Sequence, residues 1–140
     1  VIARLGKKPE SMKAVSYPEG QGGLKVPPLK TYPVAKKTWV GMDVFVEYRG
    51  RAADLAAKLQ PAVPEGLKLS LISNRGVKCW PNGSPGTFCT DHWCARLLGG
   101  CSTARWMDTL KAFTDAGLEV VKVENLYSFD GKDGFTAAAG

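Results

Sequence analysis

The sequence predicts an α+β fold in which two helices cover one face of a four-stranded antiparallel sheet. Three observations carry this expectation. Segments with strand-like alternation or β-branched content occur four times after residue 38, two segments between them place apolar residues at helical spacing, and the order is β-α-β-β-α-β.

The first strand is expected at 39–48, where Val40, Met42, Val44, Val46 and Tyr48 alternate with Gly41, Asp43, Phe45 and Glu47. Arg51 to Gln60 reads as a short helix, with Ala52, Leu55, Ala56 and Leu59 on one face, Asp54 supporting Lys58 at i,i+4, and Pro61 ending it. A second strand follows at Leu67–Ser73, with Leu67, Leu69 and Leu71 sharing a face. Asn74-Arg75-Gly76 is a turn signal, and Val77–Trp80 continues as a hairpin arm. After a Pro/Gly loop comes a third strand at about His92–Leu98. Ser102 then caps a helix running to Gly117 that buries Trp106, Met107, Leu110 and Phe113. Val120–Tyr127, rich in β-branched residues, is the fourth strand, and the turn-like Phe129-Asp130-Gly131 opens the tail.

Right-handed crossovers in this order give a ferredoxin-like, or ACT-like, sandwich. Its second sheet face is left uncovered. Strict alternation puts Phe45 and Ile72 on that face, and an exposed apolar sheet face usually becomes an interface.

At 140 residues the chain is one domain's worth of protein, and 44% hydrophobic with 23% charged residues is an ordinary globular composition. No apolar run approaches the ~18–20 residues of a membrane-spanning helix. The net charge of +6 is unevenly placed: residues 1–38 hold eight bases and two acids, and residues 39–140 hold eleven of each. The stretch 9–38, with Pro9, Pro18, Pro27, Pro28 and Pro33, reads as a basic, semi-extended linker. The basic character therefore belongs to the tether, and no nucleic acid is expected as a partner. A chain that opens on what reads as a helix end, without a secretory leader, is expected to be a fragment whose four cysteines stay reduced.

Cys79, Cys89, His92, Cys94 and Cys101 are of the types that hold zinc, yet they form no Cys-x-x-Cys pair, so no metal site is expected. A Cys94 nucleophile with His92 as base fails because Asp91, adjacent on a strand, points away from His92. The aromatics Trp39, Phe45, Tyr48, Trp80 and Trp93 are read as packing groups, since Asp43, Glu47, Asp91 and Glu124 cancel any positive field near them. Asn74, Arg75, Asp91 and His92 lie near loop–strand junctions, where they form turns and surface hydrogen bonds or else line an effector site.

Four segments carry a family likeness: Trp39-Val-Gly-Met-Asp-Val-Phe-Val-Glu-Tyr48; Leu69-Ser-Leu-Ile-Ser-Asn-Arg-Gly76 with Lys78 and Trp80-Pro81; Asp91-His92-Trp93-Cys94-Ala95-Arg96; and Phe129-Asp-Gly-Lys-Asp-Gly-Phe135. They resemble the C-terminal, ACT-like domain of bacterial NADP-dependent isocitrate dehydrogenases. On that resemblance, residues 1–8 are the end of the catalytic body's last helix, 9–38 the linker and 39–140 the domain. The resemblance implies a parent enzyme that oxidises isocitrate to 2-oxoglutarate and carbon dioxide with NADP and magnesium or manganese. Its catalytic, cofactor and metal residues lie upstream of Val1, so the segment itself is expected to hold none and to be inactive. It implies a cytoplasmic protein whose partners are its own catalytic body and identical subunits, as a homodimer or homotetramer, with no membrane partner.

Overall fold

Lys37 already pairs with Phe129, and Lys36 exchanges hydrogen bonds with Asp130, donating to its Oδ1 and accepting from its backbone N–H. The first strand thus starts inside what alternation assigns to the linker. Its extra residues are held by a fourth strand that is also longer than expected.

The structure, a computed structural model, describes residues 3, 5–7, 11–13, 26–84 and 86–136. Of the expected helix end, residues 1, 2, 4 and 8 lie outside the described residues, as does most of the linker's first half. Val34–Gly140 is a compact unit separate from Val1–Pro33, and it contains every element that follows. These are β1 (Lys37–Glu47), α1 (Ala52–Leu59) with a 3-10 turn at Gln60–Ala62, β2 (Leu67–Asn74), β3 (Val77–Trp80), β4 (His92–Gly99), α2 (Thr103–Asp115), β5 (Glu119–Phe129) and β6 (Lys132–Asp133).

The strands form one antiparallel sheet in the order β3-β2-β4-β1-β5-β6. Among the described residues the sheet has six strands where the sequence predicts four, because each edge carries a hairpin arm. Arg75 and Gly76, both at positive φ, make the two-residue turn from β2 to β3. This is the primed geometry whose twist suits a hairpin, and glycine takes it without strain. Asp130-Gly131 does the same between β5 and β6.

One apolar cluster joins the helices to the sheet. Leu55, Ala56 and Leu59 of α1 and Phe113 of α2 meet Met42, Val44 and Val46 of β1, Leu69 and Ile72 of β2, and Trp93, Ala95 and Leu97 of β4. Both helices therefore cover the same face.

Ile72 corrects the sequence reading. The pairing of β2 with β4 shifts between Leu69 and Leu71, where Ser70 is an extra residue on the β2 side. A bulge of this kind reverses the alternation beyond it. Leu71 consequently pairs with Arg96 on the helix-free face, and Ile72, fully buried, pairs with Ala95 in the core.

In α2 Thr109 and Phe113 are buried and Trp106 and Leu110 half-buried along one stripe, while Met107 is 60% exposed. Positions 106, 109, 110 and 113 follow the i, i+3, i+4, i+7 rule, which Met107 breaks. Thr109 is admitted to the interior because its hydroxyl donates to the Arg105 carbonyl at 2.8 Å. Ser102 does cap this helix, its Oγ accepting from the Arg105 N–H at 3.3 Å. In α1, Asp54 pairs with Arg51 at 3.0 Å, and Lys58 instead reaches the Gly117 carbonyl.

Candidate functional site

The helix-free face of the sheet is more polar than its expected role suggests. At its centre Asp43 of β1 and Arg96 of β4 stand opposite each other in register, and both are almost fully buried. Arg96 donates through Nε to Oδ1 and through Nη2 to Oδ2 of Asp43, each at 2.8 Å. This side-on, two-bond pairing is the strongest geometry open to an arginine and a carboxylate. It holds the guanidinium firmly in its charged form.

The tail supplies the rest of Arg96's surroundings. Nη1 donates to the Thr136 carbonyl at 2.5 Å, and the Phe135 ring lies 5.2 Å from the guanidinium carbon. The chain beyond β6 thus folds back over part of the face that α1 and α2 leave bare.

Beside the ion pair is a pocket of about 290 Å³ lined by Asp43, Phe45, Arg75, His92, Cys94 and Glu124, among others. β1 and β4 deliver Phe45, Cys94 and His92 to one side, because Phe45 faces Cys94 and Glu47 faces His92 in the register. The Phe45 and His92 rings stack with centroids 5.5 Å apart, and Lys122 Nζ sits 4.2 Å above the Phe45 ring. Lys122 is in turn paired with Glu124 at 2.8 Å. The rim therefore offers both signs of charge around an aromatic stack.

Of the six positions singled out from sequence, the pocket gathers Phe45, Arg75 and His92. Ile72 is in the core, as described. Asn74 is buried and spends its whole amide on structure: Nδ2 donates to the Thr90 and His92 carbonyls at 3.0 Å each, and Oδ1 accepts from the Thr90 N–H at 2.9 Å. It ties the segment before β4 to the β2–β3 hairpin and has nothing left for a ligand. Asp91 lines a different depression with Tyr48, Arg49 and Thr90, and its carbonyl accepts from Tyr48 N–H. Asp43, Arg96 and Glu124 are the site's main charged groups missed as site residues. Opposite charges at facing strand positions are expected to pair, but that Asp43 faces Arg96 is set by the β1–β4 register, which alternation within either strand does not reveal.

The four cysteines do not gather at one site; only Cys79 and Cys89 approach each other. Cys94 lies on the helix-free face, and Cys101 packs against the core from the turn before α2. Cys79 and Cys89 meet at a second cavity of about 470 Å³, bounded also by Arg51, Gly83, Thr87 and Trp93. Among the described residues, no three His, Cys, Asp or Glu side chains gather as a metal site. Burial, reinforced by the Asp43 carboxylate, pushes the Cys94 thiol up to about 12, which leaves it protonated and a poor nucleophile at neutral pH. Most aromatics serve packing: Trp93 is buried in the core with its indole N–H donating to the Tyr48 carbonyl at 2.9 Å, and Trp80 packs on the same cluster. No helix among the described residues is long and apolar enough to cross a membrane.

The fold and this site define an α+β domain with a hydrogen-bonded ion pair on its helix-free face. Residues 37–140 match the family model of the bacterial isocitrate dehydrogenase C-terminal domain, and the chain belongs to that family. The whole chain aligns with isocitrate dehydrogenases [NADP], at 32% identity with that of Rickettsia bellii, 33% with that of Rickettsia felis and 30% with that of Thermus thermophilus. It spans only about 30% of the length of each of these relatives. A crystal structure of the TT0538 protein from Thermus thermophilus has a similar fold, with a TM-score of 0.73 and 27% identity over 98% of this chain and 28% of that one.

Proposed function

We propose that this chain is the non-catalytic C-terminal accessory domain of an NADP-dependent isocitrate dehydrogenase, and that it contributes to subunit association. The observation that carries this reading is the match of residues 37–140 to the family's C-terminal domain, together with relatives of which the chain spans about 30%. The parent would convert isocitrate and NADP to 2-oxoglutarate, carbon dioxide and NADPH in the cytoplasm, with magnesium or manganese, and the groups for that chemistry would lie in the remaining length. The central strand order β2-β4-β1-β5, with both helices on one face, supports the ferredoxin-like or ACT-like reading, to which β3 and β6 are additions.

For association, the surface is the part of the helix-free face around Phe45, Lys122 and His92. Its aromatic stack and paired charges suit a self-complementary contact across a two-fold axis. A standard interface would bury ~800 Å² per partner. Sedimentation velocity over a wide concentration range tests this. A dimer that Phe45→Asp dissociates supports the role, and a strict monomer at high concentration overturns it.

A second reading, a regulatory small-molecule module, is favoured by the pocket that brings Arg75, His92 and Phe45 together. A thermal-shift screen of central metabolites separates the two, because a bound effector must raise the melting temperature by mass action.

A further inference from the structure

Cys79 and Cys89 are ten residues apart in the chain, yet their sulfurs approach to 3.8 Å. Cys79 sits on the edge strand β3, and Cys89 lies in the loop that returns to β4. Each thiol's other partner is a weak one, the carbonyl two residues before it: Val77 at 3.3 Å and Thr87 at 3.4 Å. Both are half-buried, and both line the 470 Å³ cavity, so a small solute can reach the sulfurs from one side. Cys94 is directed to the opposite face of the sheet, which leaves this pair chemically isolated from it.

We propose that Cys79 and Cys89 form a reversible dithiol–disulfide pair that is oxidised by low-molecular-weight disulfides such as oxidised glutathione. In the first step a thiolate of the pair attacks one sulfur of the glutathione disulfide. A protein–glutathione disulfide forms, and one glutathione leaves as thiolate. In the second step the remaining protein thiolate attacks the protein sulfur of that mixed disulfide, closing the Cys79–Cys89 bond and releasing the second glutathione. The two protons lost by the protein thiols are taken up by the two glutathione thiolates, so two protein thiols are oxidised as one glutathione disulfide is reduced to two thiols.

The sulfurs have to close from 3.8 Å to the ~2.05 Å of a disulfide. Side-chain rotation with a small loop movement supplies this, because Cys89 is a loop residue with Gly83 and Gly86 upstream of it. Burial raises the Cys79 thiol above its ordinary range, as does its hydrogen bond to Cys89. Exchange is therefore slow at neutral pH and accelerates as pH rises. Once closed, the bond fixes the loop wall of the cavity to the edge strand, which makes the opening between Arg51 and Thr87 dependent on redox state.

The test treats the full chain with oxidised glutathione at mildly alkaline pH, blocks remaining thiols by alkylation and reads the products by intact and peptide mass spectrometry. The expected result is a chain that takes up label at no site beyond Cys94 and Cys101, is lighter by two hydrogens once that label is subtracted, and carries a peptide crosslink between Cys79 and Cys89. Glutathione retained on either residue of the wild-type chain, a crosslink to Cys101, or no crosslink overturns the proposal. Cys79→Ser and Cys89→Ser remove the resolving thiol, so at least one of them is expected to accumulate the mixed disulfide; failure of both also overturns it. A readout that needs no variant is the oxidised glutathione required for half-closure. The urea-unfolded chain is expected to need roughly tenfold more, since unfolding lowers the effective concentration of one thiol at the other. An equal requirement in the two states refutes a pair built by the fold.

Discussion

Asp43 and Arg96 face each other across β1 and β4 and share two parallel hydrogen bonds of 2.8 Å, with their side chains 8% and 5% exposed. Desolvating two charges is repaid only when the geometry is this good and the remaining donors find partners. Here the third guanidinium nitrogen finds the Thr136 carbonyl.

Removing one member strands the other. Asp43→Ala is expected to cost about 3–5 kcal/mol in urea unfolding, and Asp43→Leu with Arg96→Met much less than the two single changes together. Additive costs in the double-mutant cycle would show that the two residues are not energetically coupled.

Asn74→Ala leaves the Thr90 N–H and the Thr90 and His92 carbonyls without their present partner. A loss of about 3 kcal/mol is expected, together with faster hydrogen exchange at the Thr90 amide. Unchanged exchange at Thr90 would mean that the segment before β4 is held by something else.

A Cβ added at Gly41 would lie 2.5 Å from the Leu97 carbonyl oxygen and 2.8 Å from a Leu98 methyl. The carbonyl belongs to the paired backbone of β4 and cannot move aside cheaply. Gly41→Ala should therefore destabilise by about 1–3 kcal/mol, a loss visible as a lower melting temperature. A melting temperature equal to that of the parent chain counts against this tight approach.

Cys94 gives a pH dependence. Below pH 9.0 its thiol is protonated in folded and unfolded chains alike. Between 9.0 and about 12 the unfolded chain releases the proton while the folded chain keeps it, so stability falls as pH rises through that window. From pH 8 to pH 10, wild type is expected to lose about 1.4 kcal/mol relative to Cys94→Ala. A constant difference between the two proteins would show that Cys94 titrates normally.

Local rules recover most of the fold because the helices and strands agree with them. The α1 stripe, the Ser102 cap and the Arg75-Gly76 turn are each fixed by neighbours in sequence. What local rules miss depends on distant partners. Met107 is misplaced because hydrophobicity alone does not show that Thr109 satisfies its hydroxyl within the helix and takes the buried position. β1 begins early because Lys36 and Asp130, 94 residues apart, bind each other. In the pocket, Phe45 and His92 follow from alternation along their own strands, whereas their stacking depends on the β1–β4 register. Asn74 reads as a turn residue, and its clamp on Thr90 is invisible until the loop is in place.

The additional residue at Ser70 acts as a parity operator on the chain. It hands Ile72 to the interior and Leu71 to the surface that carries Arg96, and so decides which aliphatic group borders the ion pair. Deleting Ser70 would leave the composition of β2 almost untouched yet exchange the roles of its two ends. Part of what distinguishes the two faces of this domain is thus encoded by a count of residues, independently of their kind.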